Sequence, residues 1–151
     1  MMRSPDGTAF RLDGPRNAPM VVLIHGLGLN HEVWDDTVPD LARLYRVLSY
    51  DILGHGETPA PTGQPSLALL ACQLADLLDH CAVRTAVVVG FSLGGMIAAQ
   101  PFLLLVEWAQ ANDGGPIMIA LLHAGAAAVA MAARLAPGLI AIAANSRLVS
   151  R

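Results

Sequence analysis

Apolar runs separated by polar, glycine-rich segments set the predicted elements of the first hundred residues. Met20 to Ile24 (MVVLI) is apolar at every position, as expected of a strand covered on both faces. Tyr45 to Tyr50 and Ala86 to Val89 read as two further strands, and Thr8 to Leu12 as a shorter one closed by the turn signal Asp13-Gly14-Pro15. Trp34 to Leu44 has the apolar spacing of a short helix, with Pro39 near its start. Ser66 is placed to cap a better-patterned helix. On it Leu67, Leu70, Ala71, Leu74, Leu77, Leu78 and Cys81 share one face, with Gln73, Asp76 and His80 elsewhere. Strand, helix, strand, helix, strand predicts an α/β fold with a parallel sheet.

The pattern changes past Gln100. Only Glu107, Asp113, Arg134, Arg147 and Arg151 carry charge there. Pro101 falls where a helix following residue 92 should continue, and proline removes a backbone bond and clashes with the preceding turn. Ile117 to Ala133 is alanine-rich and predicts a helical tail packed on protein. It is shorter than the roughly 20 residues a membrane span needs and contains His123 and Gly125, so a membrane span is not expected. The division is therefore residues 1–100, an α/β unit, and residues 101–151, a divergent apolar tail.

Charge and composition narrow the chemistry. The net charge is −3 without a basic cluster, which argues against a nucleic-acid partner. Every basic residue other than histidine is arginine, which excludes a Walker lysine and a Schiff-base lysine. MMRSPDGTAF has no apolar core of signal-peptide length, so a cytoplasmic protein is expected. Cys72 and Cys81 would lie on opposite faces of one helix, about 13 Å apart along its axis, and are expected as two buried thiols. Oligomeric state stays open. No metal or cofactor is expected. His31-Glu32-Val33-Trp34-Asp35 ends in Asp where a zinc motif needs His, and His31 stands where a dinucleotide fingerprint opened by Gly26 and Gly28 needs its third glycine.

The chemistry-bearing stretch is Arg84 to Met96, RTAVVVGFSLGGM. A valine strand runs into Gly90-Phe91-Ser92-Leu93-Gly94 and then into a helix, the G-x-S-x-G elbow that raises a serine hydroxyl above a sheet edge. At Gly and Ser frequencies near ~7%, that pattern arises by chance only about 0.05 times in such a chain. Ser92 is the candidate nucleophile. Its hydroxyl needs a neighbouring base, and the oxyanion formed on attack needs preorganised N–H donors, of which Leu93 supplies one.

Three blocks together resemble the α/β-hydrolase superfamily, in the branch of small esterases and lactonases similar to 3-oxoadipate enol-lactonase. They are His25-Gly26-Leu27-Gly28 with Trp34 after it, Tyr50-Asp51-Ile52-Leu53-Gly54-His55-Gly56-Glu57-Thr58, and Gly90-Phe91-Ser92-Leu93-Gly94-Gly95-Met96. The resemblance spans Met20 to Gln100. It implies a small ester or lactone as substrate, an acyl-enzyme on Ser92, and the Leu27 N–H as second oxyanion donor. His25, Gly26, Gly90 and Gly94 then support the site, and His55 holds a turn beside Asp51. The acid and base of the triad follow the serine in the order Asp or Glu, then His. Asp113 and His123, with Glu107 as the other acid, satisfy that order but leave too little chain for the intervening strands and helices. An incomplete, truncated hydrolase with weak or no turnover is therefore expected. A non-catalytic hydrolase-like remnant or binding protein, and less readily a membrane-attached fragment, are the alternatives.

Overall fold

The MVVLI run forms β3 (Met20–Ile24) at the centre of a mixed sheet, with the bounds that the sequence predicts. The computed structural model describes residues 1–100 and 140–145. The other strands are β1 (Met2–Arg3), β2 (Ala9–Asp13), β4 (Arg46–Tyr50), β5 (Thr85–Gly90) and β6 (Ile140–Asn145), in the order β1-β2-β4-β3-β5-β6. β3 pairs in parallel with β4 on one side and β5 on the other, the parallel core that the alternation predicts. The flanks are antiparallel: β1 to β2, β2 to β4 and β6 to β5. Pairing between Phe10 and Tyr50 joins segments far apart in sequence, so no local pattern announces its direction.

Side chains of β3 alternate between two apolar layers. Val22 and Ile24 meet Leu48, Tyr50 and Val88, together with Leu70, Leu74 and Leu77 of the helix α2 (Leu67–His80) and Ile97 of the helical segment 93–100, α3. Val21 and Leu23 face the other way, onto Trp34, Val38 and Leu41. Those three come from a 3₁₀ turn (His31–Trp34) and a single helical turn, α1 (Val38–Leu41). Burial on both faces is why β3 carries no polar residue.

The stretch predicted as one helix from Trp34 to Leu44 is thus two short pieces. Asn30 caps the first through Glu32 N–H, and Pro39 sits in the first turn of the second. α2 begins as its cap predicts, with Ser66 Oγ accepting from Leu69 N–H at 3.1 Å. Three positions on or next to that helix depart from expectation. Cys72 is exposed and Cys81 half-buried, so the thiols are not both core residues. Gln73, assigned to the polar side, is buried. Its place between Leu70, Leu74 and Leu77 at three- and four-residue spacing puts it on the core stripe.

The helix expected over Ile117 to Ala133 lies outside the described residues, as do Glu107, Asp113 and His123. Among the described residues no helix is long and apolar enough to cross a membrane.

Candidate functional site

Parallel strands deliver their following loops to one edge of the sheet. Here the loops after β3, β4 and β5 meet at that edge, and the last holds Ser92. β5 ends at Gly90, α3 begins at residue 93, and Ser92 between them has φ of +52°. A left-handed backbone costs a non-glycine residue about 1–2 kcal/mol. Gly95 and Met96 N–H both donate to the Ser92 carbonyl, and Phe91 N–H donates to the Ile24 carbonyl at 2.9 Å, tying the elbow to β3. The Ser92 side chain is exposed.

The elbow is held by backbone proximity. A Cβ on Gly90 would collide with the Gly94 carbonyl, and a Cβ on Gly94 with the Ile24 carbonyl. Only hydrogen fits at either position. The β3 loop closes over the same place. A Cβ on Gly26 would lie 3.3 Å from Ser92 Cβ and 3.0 Å from Phe91 Cδ1.

The β3 loop is held quite differently, by an imidazole. His25 is fully buried, and its Nε2 accepts from Ile52 N–H at 3.0 Å. Nδ1 therefore carries the proton and donates to the Gly26 carbonyl at 2.8 Å. Burial pushes the His25 pKa below its ordinary value. The Gly26 carbonyl and Asp51 oppose that shift, while His55 and His31 add to it. The Gly26 carbonyl and the Leu27 N–H belong to one planar trans peptide, so an imidazole gripping the oxygen aims the N–H the other way. Among the described residues neither Leu27 N–H nor Leu93 N–H has an acceptor in the protein.

Asp51, also fully buried, ties the β3 and β4 loops together. Oδ1 accepts from His31 N–H at 2.7 Å and lies 2.9 Å from His31 Nδ1, and Oδ2 accepts from Glu57 N–H at 2.8 Å. Burial alone would raise the Asp51 pKa; the bonds from Glu57 and His31 more than offset it and hold the carboxyl below its ordinary range. A Cβ on Gly56 would collide with this carboxylate. His55 closes the turn, its N–H on the Ile52 carbonyl and its Nδ1 3.1 Å from the Leu53 carbonyl.

Gln73 completes the support from below. Its Oε1 accepts from Leu53 N–H, and its Nε2 donates to the Asp51 carbonyl and to Thr8 Oγ1. Sequence reasoning passed over Gln73 and the His31–Asp51 contact. The signal for the first was its spacing within the leucine stripe. The second has no local signal, because its partners are 20 residues apart.

The structure thus brings Ser92, Leu93, Gly90 and Gly94 together with His25, Gly26 and Leu27. Asp113 and His123 lie outside the described residues. An open cavity of about 520 Å³ adjoins the β3 loop, lined by Gly28, Leu29, Asn30, Glu32, Val33 and Gly56. Among the described residues no cluster of three His, Cys, Asp or Glu side chains could hold a metal ion.

Known proteins are similar to this chain in sequence and fold. The family model for the α/β hydrolase fold matches residues 19–105. The chain is 35% identical over 90 residues to 3-oxoadipate enol-lactonase 1 of Acinetobacter baylyi, covering 60% of this chain and 34% of that one. A hydrolase structure from Pseudomonas aeruginosa superposes with a TM-score of 0.61 at 39% identity, over 66% of this chain and 38% of that one. The enol-lactonase structure from Burkholderia xenovorans gives 0.59 at 36% identity, over 61% and 36%. The match covers between 26% and 36% of the length of the first curated relatives. With the family match extending over more than half of its residues, the chain belongs to the α/β hydrolase fold family.

Proposed function

We propose that the chain carries the nucleophile half of a serine hydrolase acting on small carboxylic esters or lactones through an acyl-enzyme on Ser92. The observation that carries this reading is the Ser92 backbone: a left-handed serine, exposed at a strand-to-helix turn, opposite the Gly26 loop. Strain of that kind is kept where it places a reacting group. In the proposed reaction Ser92 Oγ adds to the ester carbonyl, and the N–H groups of Leu27 and Leu93 take the charge that develops on the oxygen. The Ser92 proton passes to a base and from it to the departing oxygen as the adduct collapses, so that an ester loses its alcohol and a lactone ring opens. Water then adds to the acyl-enzyme and releases the acid and the Ser92 hydroxyl. Cytoplasmic action on a small molecule without a metal or cofactor is part of the same proposal.

The base is where the chain is weak. His25 is bound on both nitrogens, His31 faces Asp51 and His55 faces Leu53. None of these imidazoles is positioned by a contact to Ser92, and among the described residues Ser92 Oγ has no hydrogen-bond partner. His123 as base and Asp113 as acid satisfy the order of the triad but leave too little chain for the elements between, so they are a rescue that the test addresses and not the expected machinery. A second reading, a hydrolase-like fold that binds without turnover, is favoured by Ser92 Oγ having no partner among the described residues.

The test is hydrolysis of a short p-nitrophenyl ester by the chain, by Ser92→Ala and by His123→Ala. We expect slow turnover, several hundred-fold or more below a complete triad, abolished by Ser92→Ala and indifferent to His123→Ala. Fast turnover lost in both variants would make His123 the base. Turnover indifferent to Ser92→Ala would refute the nucleophile.

A further inference from the structure

The side chains around Ser92 are apolar and uncovered. Leu27 is 73% exposed, Phe91 48% and Met96 53%, whereas the apolar residues of the sheet beneath are nearly all buried. They also lie close to the reacting position. The Phe91 ring and Ser92 Cβ both lie within 3.3 Å of the place where a Cβ on Gly26 would stand. Met96 stands four residues after Ser92 and donates its N–H to the Ser92 carbonyl, so it rises on the same side of α3. Uncovered apolar side chains gathered at one place mark a surface that something else is meant to cover.

Charge says what that is. The loops at this edge carry Glu32, Asp35, Asp51 and Glu57. The arginines lie elsewhere or are already paired. Arg16, Arg43 and Arg84 precede β3, β4 and β5, and Arg46 opens β4, so all four sit toward the amino ends of the strands, away from Ser92. Arg3 pairs with Glu57 at 3.0 Å, and Arg11 with Asp35 at 2.7 Å. Those two pairs also neutralise Glu57 and Asp35, which leaves Glu32 and the ionised Asp51 as the net charge of this edge; among the described residues no unpaired cation stands there to receive a carboxylate.

We infer that this site selects uncharged esters with an apolar acyl group and excludes carboxylate-bearing ones, with Phe91 and Leu27 as the side chains that make the selection. The inference rests on Ser92 as the reacting position and deepens that reading into a substrate class. The acyl chain lies across the Phe91 ring and the Leu27 side chain, which removes apolar surface from water. A terminal carboxylate on the same chain would lose hydration among carboxylates, with salt screening limiting the penalty.

Binding can be read without turnover. The full chain, carrying Ser92→Ala and labelled with ¹³C at the methionine methyl groups, is titrated with methyl hexanoate and with monomethyl adipate at pH 7. The Met96 signal is assigned by its loss in Met96→Leu. We expect methyl hexanoate to shift that signal saturably and monomethyl adipate to bind at least about fivefold more weakly. Phe91→Ala and Leu27→Ala should each weaken methyl hexanoate by about five- to tenfold, and Leu27→Arg should narrow the gap between the two probes. Equal binding of the two probes, no saturable shift with either, or indifference to both alanine variants would overturn the inference. Because the titration is done without the Ser92 hydroxyl, its outcome is independent of whether Ser92 is the nucleophile, which the p-nitrophenyl assay decides separately.

Discussion

The two loops that face each other across the candidate site are fixed by opposite means. At the elbow, Gly90 and Gly94 let β5, α3 and β3 approach until no side chain fits between them, and among the described residues no side-chain hydrogen bond takes part. In the β3 loop the backbone is held by polar side chains: His25 on Gly26 and Ile52, and Asp51 on His31 and Glu57. Steric contact is indifferent to pH and intolerant of added volume. A buried imidazole and carboxylate answer to protons. One site therefore has two modes of failure, and each can be provoked without the other.

The largest expected effect comes from volume at the elbow. In Gly94→Ala the new methyl meets the Ile24 carbonyl, which belongs to a central strand bonded on both sides. Neither backbone can turn away as a side chain would. We expect a loss of at least about 3 kcal/mol in urea unfolding, beyond the ordinary range for an overpacked core, and the same loss at pH 8 and pH 5.5. A variant within about 1 kcal/mol of the parent would show that the close approach is looser than its geometry implies.

Protons should act on the other loop. His25 is buried neutral, with a pKa below its ordinary 6.5, so the unfolded chain binds its proton first as pH falls. Stability contributed by neutral His25 is complete above about pH 6.5 and is lost as pH drops from there toward the lowered folded value. Protonation puts a hydrogen on Nε2 against the Ile52 N–H, so the loss includes the grip on the Gly26–Leu27 peptide. Asp51, with its lowered pKa, contributes with the same sign in a more acidic window: present above about pH 4 and lost below it as the carboxylate protonates. Urea midpoints measured from pH 8 to pH 5 should fall in the parent and flatten in His25→Gln, whose amide can still accept and donate. An unchanged slope in His25→Gln would assign the acid limb to another group.

These two modes differ in how far the sequence announces them. The elbow reads directly, because glycine at two fixed positions around a serine has few other uses. β3 reads to the residue, because burial on both faces removes every polar position. The clamps do not read. His31 meets Asp51 only because β3 and β4 run side by side, and Gln73 reaches the Asp51 carbonyl only because α2 crosses beneath the β4 loop. The division of Trp34 to Leu44 into two short turns has the same origin, since Asp51 and Asn30 hold the chain at His31 and Glu32 before any helix could start at Trp34. Local pattern marks what a residue avoids; long-range pairing decides what it touches.

The smallest effect separates strain kept for the site from strain that merely ends a helix. Among the described residues two non-glycine residues have positive φ, Ser92 at +52° and Ala82 at +53°. Ala82 follows the C-cap of α2. Its N–H donates to the Asp79 carbonyl, and Val83 N–H donates to the Leu78 carbonyl at 2.8 Å, the paired bonds of a Schellman turn. Glycine at either position relieves about 1–2 kcal/mol of backbone strain and gives back about 0.5–1 kcal/mol in the greater freedom of the unfolded chain. Ser92→Gly and Ala82→Gly should therefore each stabilise the fold by up to about 1 kcal/mol, whereas Ser92→Ala, still left-handed, should leave stability unchanged within about 0.5 kcal/mol. The two glycine variants part company in the p-nitrophenyl assay: Ala82→Gly keeps whatever turnover the parent has, and Ser92→Gly loses it. A Ser92→Gly variant no more stable than Ser92→Ala would mean that the elbow is relaxed as it stands, and would remove the main support for reading Ser92 as a placed nucleophile.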